Sequence, residues 1–167
     1  MTTSIIIKEA TTTDIPVIAS LARQIWPDAY GAILSAVQLE YMLDLIYSHP
    51  ALQQQMEEQQ QCFLIARIED QPVGFAAFSK IAEPGTFKLH KLYVRTDIQG
   101  KGLGKALLDA VQERIKALHA TTLHLNVNRH NKAKLFYEKN GFYVIKEDDI
   151  DIGNGYFMND YIMEKKM

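Results

Sequence analysis

Apolar positions along this chain follow two different periods. Ile15, Ile18, Ala19, Ala22 and Ile25 recur three and four residues apart, as on one face of a helix. The TTTD segment before them offers N-caps, and Pro16 stands close to the first helical position. Pro27 and Gly31 interrupt that pattern. A second helical stretch over residues 35–47 carries Leu39, Met42, Leu43 and Ile46 on one face. The polar tract at 53–61, built around Met56, reads as an exposed helix rather than a linker. The longest stripe is Leu103, Ala106, Leu107, Ala110, Val111, Ile115 and Leu118.

Between these stretches the period changes to two. Ile5, Ile6 and Ile7 form a short β-branched strand. CFLIARIE and VGFAAFSK, separated by Asp70-Gln71-Pro72, read as a hairpin, and FKLHKLYV follows the Glu83-Pro84-Gly85 turn as a further strand. TTLHLNVN alternates Leu123, Leu125 and Val127 inward. NKAKLFYEKNGF is a short helix closed by Asn140-Gly141, a left-handed stop signal. Strands at about 142–146 and 156–165, joined by a Gly153/Gly155 turn, complete the chain. Strand, helix, strand, helix in the second half predicts a parallel pair inside a mixed sheet. No boundary or repeat divides residues 1–167, so a single domain is expected.

Composition narrows the class. An apolar fraction of 47% in 167 residues supplies a full core without disulfides or metal. A formal net charge of −2 argues against general nucleic-acid binding, which needs a basic surface. Cys62 is the one cysteine; followed by FLIA, it reads as a core thiol in a reducing compartment. The N-terminus lacks signal-peptide character, and no apolar run approaches the ~20 residues that cross a bilayer. A cytoplasmic protein without membrane contact is expected. The five histidines are dispersed without metal-ligand spacing, so no metal is expected.

The chemistry concentrates at QGKGLGK, residues 99–105, which opens the long helix. A Walker A loop fails here, because Gly104-Lys105 is followed by Ala106 and the first glycine position holds Gln99. A dinucleotide fingerprint fails too: counted from Gly100 or Gly102, the third glycine position holds Lys105 or Leu107. Two readings remain from the residues alone. One is a tight turn that brings backbone N–H groups and Lys101 and Lys105 to an anion. The other is a plain glycine-rich turn with solvated lysines.

Together with what lies downstream, this segment resembles the GCN5-related N-acetyltransferase (GNAT) family. Gln99, Gly100, Lys101, Gly102, Leu103 and Gly104 fit that family's loop at each position. Residues 131–142 resemble its second landmark, a helix with an Asn start and a tyrosine followed by Gly-Phe. Two features depart from many members: Thr96 and Asp97 stand where a proline is common, and Asn131 is one residue nearer Tyr137. The resemblance implies an α/β fold: a mixed, mostly antiparallel sheet of about seven strands with a splayed parallel central pair, flanked by about four helices.

It also implies a function: acetyl-CoA as cosubstrate and direct acetyl transfer to a primary amine. The pyrophosphate would lie on the loop through Lys105, and the pantetheine arm on the backbone of Leu92, Tyr93 and Val94, with Asn131 a further contact. Tyr137 would serve as the acid facing the sulfur. A backbone N–H of the bulged strand would hold the carbonyl oxygen. A lysine-like amine, with a pKa of about 10.4, must lose a proton before it attacks. His90, two residues before Leu92, is the candidate base; the alternative is a histidine packed beside the sheet with no proton role. Trp26, Tyr30 and Tyr41 with Asp160 are the candidate acceptor-binding residues, suited to a cationic amine or, plainly, to core and surface filling. IWPDAYGAILS and GYFMNDYIMEK are similar to a bacterial subgroup that includes polyamine acetyltransferases of the PaiA type. A small-molecule amine is therefore the expected partner. A peptide acceptor, a non-catalytic acyl-CoA sensor and a homodimer stay open.

Overall fold

The computed structural model describes residues 4–98 and 101–167. The chain runs β1 (Ile5–Glu9), a 3-10 turn (Thr12–Asp14), α1 (Ile15–Tyr30), α2 (Ala36–Tyr47) and α3 (His49–Glu57). Next come β2 (Cys62–Ile68), β3 (Gln71–Lys80), β4 (Thr86–Val94), α4 (Leu103–Ala117), β5 (Thr122–Asn128), α5 (Ala133–Lys139), β6 (Tyr143–Gly153) and β7 (Tyr156–Lys166). All seven strands form one sheet in the order β1-β2-β3-β4-β5-β7-β6. Every neighbouring pair is antiparallel except β4 and β5, whose crossover is α4.

Alternation along the strands divides the core. Leu64, Ala76, Leu89 and Leu123 pack with Leu107 and Val111 of α4 on one face of the sheet. Phe63, Phe75 and Ala77 pack with Ile18 and Trp26 of α1 and Met42 of α2 on the other. Each face removes apolar surface from water at roughly 25 cal/mol per Å².

Three elements differ from the pattern-based reading. Pro27 does not stop α1, which continues to Tyr30. Trp26 and Tyr30 are buried there, and their packing holds the last turn against the missing N–H of Pro27. The polar tract is helical only to Glu57, in a helix that starts earlier, where Ser48 Oγ accepts the N–H of Ala51 and Pro50 occupies the first turn. This short segment makes five α-helices among the described residues rather than about four. β6 is longer than its apolar pattern because its second half, with Asp148 and Asp149, is held by pairing to β7.

Two irregularities position the site. β4 and β5 pair only from Thr86–Thr122 to Leu89–Leu125 and then part. Beyond that point the β5-facing N–H and C=O groups of β4 have no strand partner. On its other edge, β4 shifts register against β3: Ala77 opposes Lys91 and Phe78 opposes Leu89, leaving His90 as the extra residue of a bulge.

Candidate active site

The parting of β4 from β5 opens two connected clefts. The first, about 140 Å³, is lined by Leu92, Val94, Val127, Asn131 and Tyr137 among others. The second, about 250 Å³, is walled by Trp26, Met42, Tyr47, Ile152, Met158 and Asp160 among others. Tyr30, Leu89, His90, Lys91, Tyr93 and Asn126 border both, so the clefts meet at the bulge.

The helix start at the same end of the sheet has no side-chain cap. Gly102 is left-handed, with φ of 67°, and a Cβ there would meet no atom within 4 Å. The first helical N–H groups have no partner within their own helix, and an anion at such a start is favoured by both hydrogen bonding and the helix dipole. Leu103 contributes only its backbone, because its side chain is buried in the core. Gly104 lies against Phe136, with a built Cβ 3.4 Å from the ring, and lets α5 approach α4. Lys101 is exposed, and Lys105 pairs with Asp109 at 2.9 Å. Gln99 and Gly100 lie outside the described residues.

Tyr137 borders the first cleft at 7% exposure, between Phe136 and Phe142. Burial raises its pKa well above the ordinary phenol, so its proton is retained at neutral pH. Asn131 also borders this cleft, but its Oδ1 accepts the N–H of Ala133 at 2.9 Å. Half of its polar capacity thus starts α5. Leu92 and Val94 turn toward the α4 side of the sheet and Tyr93 toward the α1 side, where its hydroxyl meets that of Tyr30 at 2.9 Å.

His90 sits at the junction, with Nε2 2.7 Å from Ser79 Oγ. Burial, then the charges of Lys91 and Lys88, lower its pKa to about 3. The ring is therefore unprotonated in the neutral range: it can accept a proton, but only as a weak base. Lys91, which sequence reading passed over, is 7% exposed and borders both clefts. Its Nζ donates to Gln61 Oε1 at 2.9 Å and lies 5.1 Å from the centre of the Phe63 ring, and burial lowers its pKa to about 7. The bulge hid this residue, because strict alternation does not place His90 and Lys91.

Of the acceptor candidates, Trp26, Tyr30 and Asp160 border the second cleft. Tyr41 does not. Its hydroxyl donates to Ile152 O at 2.9 Å and its ring packs on Tyr156, so it ties α2 to the β6–β7 hairpin outside the cleft. Three residues of the cleft wall carry buried polar atoms without a hydrogen-bond partner among the described residues: Trp26 Nε1, the Tyr47 hydroxyl and Asp160 Oδ1. Cys62 is remote from this chemistry, and burial pushes its thiol up to about 11. Among the described residues, no group of three or more His, Cys, Asp or Glu side chains is arranged to hold a metal. No helix there is long and apolar enough to cross a membrane.

A sheet split beside a parallel pair, with an uncapped glycine-started helix at the same end, is the architecture of a coenzyme A-dependent acyltransferase. Residues 33–164 match the acetyltransferase (GNAT) domain, and the chain belongs to that family. A spermidine N(1)-acetyltransferase of Thermoplasma acidophilum is 30% identical over 98% of both chains. The crystal structure of PaiA N-acetyltransferase from that organism, in complex with coenzyme A, superposes with a TM-score of 0.83, 30% identity and coverage of 98% and 99%. A GCN5-related N-acetyltransferase structure from Rhodopseudomonas palustris shares the fold, with a TM-score of 0.83 at 23% identity over 100% and 99% of the two chains. The protein is an N-acetyltransferase, and acetyl-CoA is its acetyl donor.

Proposed function

We propose that the protein moves acetyl from acetyl-CoA to a small primary amine or polyamine, by direct attack in a ternary complex in the cytoplasm. The meeting of two clefts at one bulge carries this reading: a donor and an acceptor entering from opposite sides come together at His90. The relative's name, spermidine N(1)-acetyltransferase, favours a polyamine among amines.

Acetyl-CoA brings a thioester already activated toward amines. The chain supplies position and charge. The unpaired edge of Leu92, Tyr93 and Val94 offers backbone donors and acceptors to the pantetheine amides, as an added strand would use them. The N–H groups after Gly102 take the pyrophosphate, with Lys101 adding positive charge. The backbone at the bulge is the candidate oxyanion donor. Tyr137, protonated and buried, gives a hydrogen bond or proton to the leaving sulfur. His90 accepts a hydrogen bond and orients the incoming amine, which arrives neutral or sheds its proton to solvent.

A thiol-release assay over monoamines, polyamines, amino acids and peptides tests the acceptor. Turnover should be highest with polyamines, and a peptide preference would replace this reading. Coenzyme binding without turnover of any amine would make the protein a sensor. Initial rates at varied concentrations of both substrates should give intersecting lines; parallel lines would exclude direct attack.

A further inference from the structure

We propose that Asp160, backed by Asp148, is a subsite for a second cation, so that the preferred acceptor carries an ammonium besides the amine that reacts. This rests on the amine-acceptor reading and goes beyond it by naming the residues that select the substrate.

Asp160 borders the second cleft and is 5% exposed. Its Oδ2 accepts from Asn126 Nδ2 at 3.3 Å, while Oδ1, itself buried in the cleft wall, has no hydrogen-bond partner among the described residues. A carboxylate buried only to stabilise the fold is expected to have both oxygens bonded, because an unpaired one is costly. An ammonium from a ligand supplies the missing donor and the countercharge together. Asn126 borders both clefts, so Asp160 stands one side chain away from the junction where the reacting nitrogen must lie. The same cleft is lined by Met42, Ile46, Ile152 and Met158, apolar surface suited to a short methylene chain.

The neighbouring strand adds to this site. β6 carries Glu147, Asp148 and Asp149 in succession. Arg129 pairs with Glu147 and with Asp149. Alternation sends Asp148 to the opposite face, directly across from Asp160 in the β6–β7 register. Asp148 has no ion pair among the described residues. Two neighbouring carboxylates repel each other, and a shared ammonium relieves both. Arg129 and Lys88 both act on Asp160 from nearby without an ion pair to it; Arg129 is engaged by Glu147 and Asp149, whereas Lys88 borders the same cleft. Lys88 therefore competes with a polycation rather than completing the site.

The experiment measures kcat/KM for spermidine and for n-butylamine with acetyl-CoA saturating, and follows the ratio of the two. In Asp160→Asn the ratio should fall about 10- to 100-fold, the range for a hydrogen bond to a charged group. Asp148→Asn should lower it by a smaller factor, and Lys88→Met should raise it. Spermidine affinity, read by calorimetry in the presence of coenzyme A, should change in the same directions without reference to turnover. Thermal melting separates these effects from damage to the fold: Asp160→Asn removes an unpaired buried charge and should melt no lower than wild type. A wild-type enzyme that prefers n-butylamine would overturn both this subsite and the polyamine reading. A wild-type enzyme that prefers spermidine, with an unchanged ratio in Asp160→Asn, would overturn the subsite alone. A Lys88→Met variant that lowers the ratio would also overturn it, by making Lys88 the partner of Asp160.

Discussion

His90 Nε2 lies 2.7 Å from Ser79 Oγ, at the bulged residue of β4, skipped between Leu89 and Lys91 in the pairing with β3. The bulge puts an imidazole where donor and acceptor clefts meet, and burial beside Lys91 and Lys88 keeps it neutral, with a pKa of about 3. Across pH 5–9 His90 should contribute no inflection to kcat/KM. His90→Asn should leave the inflections of the pH–rate profile in place and lower kcat by less than the ~100-fold that marks the loss of a general base. A larger loss together with a vanished acidic limb would restore His90 as the base.

Tyr137 is expected to act on the leaving sulfur and not on binding. Tyr137→Phe should lower kcat by about 10²- to 10⁴-fold. Coenzyme A affinity, measured by equilibrium binding, should stay within about twofold, since a hydroxyl that acts only in the transition state adds nothing to ground-state affinity. The hydroxyl makes no hydrogen bond among the described residues, so melting should also be unchanged. Full turnover in this variant would remove Tyr137 from the mechanism.

Gly102 combines φ of 67° with open space where a side chain would stand. Gly102→Val should weaken coenzyme A binding about 10- to 30-fold, matching the ~2 kcal/mol upper range of a helix-terminus anion site. It should also cost about 1–2 kcal/mol of stability through backbone strain. Gly102→Asn, which tolerates the left-handed region, should lose less of both. Unaltered binding in the valine variant would place the pyrophosphate elsewhere.

Lys91 makes stability depend on pH. Its pKa is about 7 in the folded protein against an ordinary 10.5. Between those values the unfolded chain holds a proton that the folded chain does not, so stability from this residue rises as pH increases from about 7 to 10.5. The slope approaches about 1.4 kcal/mol per pH unit at most. Lys91→Met should therefore be more stable than wild type at pH 7, with an advantage that shrinks toward pH 10. Urea melts of both proteins across that range check the sign; a growing advantage would show that Lys91 is stabilising as a cation.

Local sequence carried much of the fold. The stripe from Leu103 to Leu118, the alternation of Leu123, Leu125 and Val127, and the Asn140-Gly141 stop each corresponds to an observed element. Pro27 misled because a buried Trp26 and Tyr30 outweigh one missing N–H. Tyr41 stands outside the second cleft for a different reason: aromatic character marks a side chain as able to bind a ligand, while the partner it finds depends on the remote Ile152 and Tyr156.

What the sequence by itself determined was the acetyl donor, because the Gly102-started helix and the Tyr137 helix are contiguous segments whose backbone geometry follows from their own residues. The acceptor side was decided by tertiary structure. Asp160 gains its unpaired oxygen from burial against Asn126, and it gains Asp148 as a neighbour from strand register. Lys91 gains its lowered pKa from burial on a bulged strand, beside Phe63 and Gln61, and from the charge of Lys88. Burial and electrostatic coupling are properties of assembled neighbours, and no short run of residues encodes them alone.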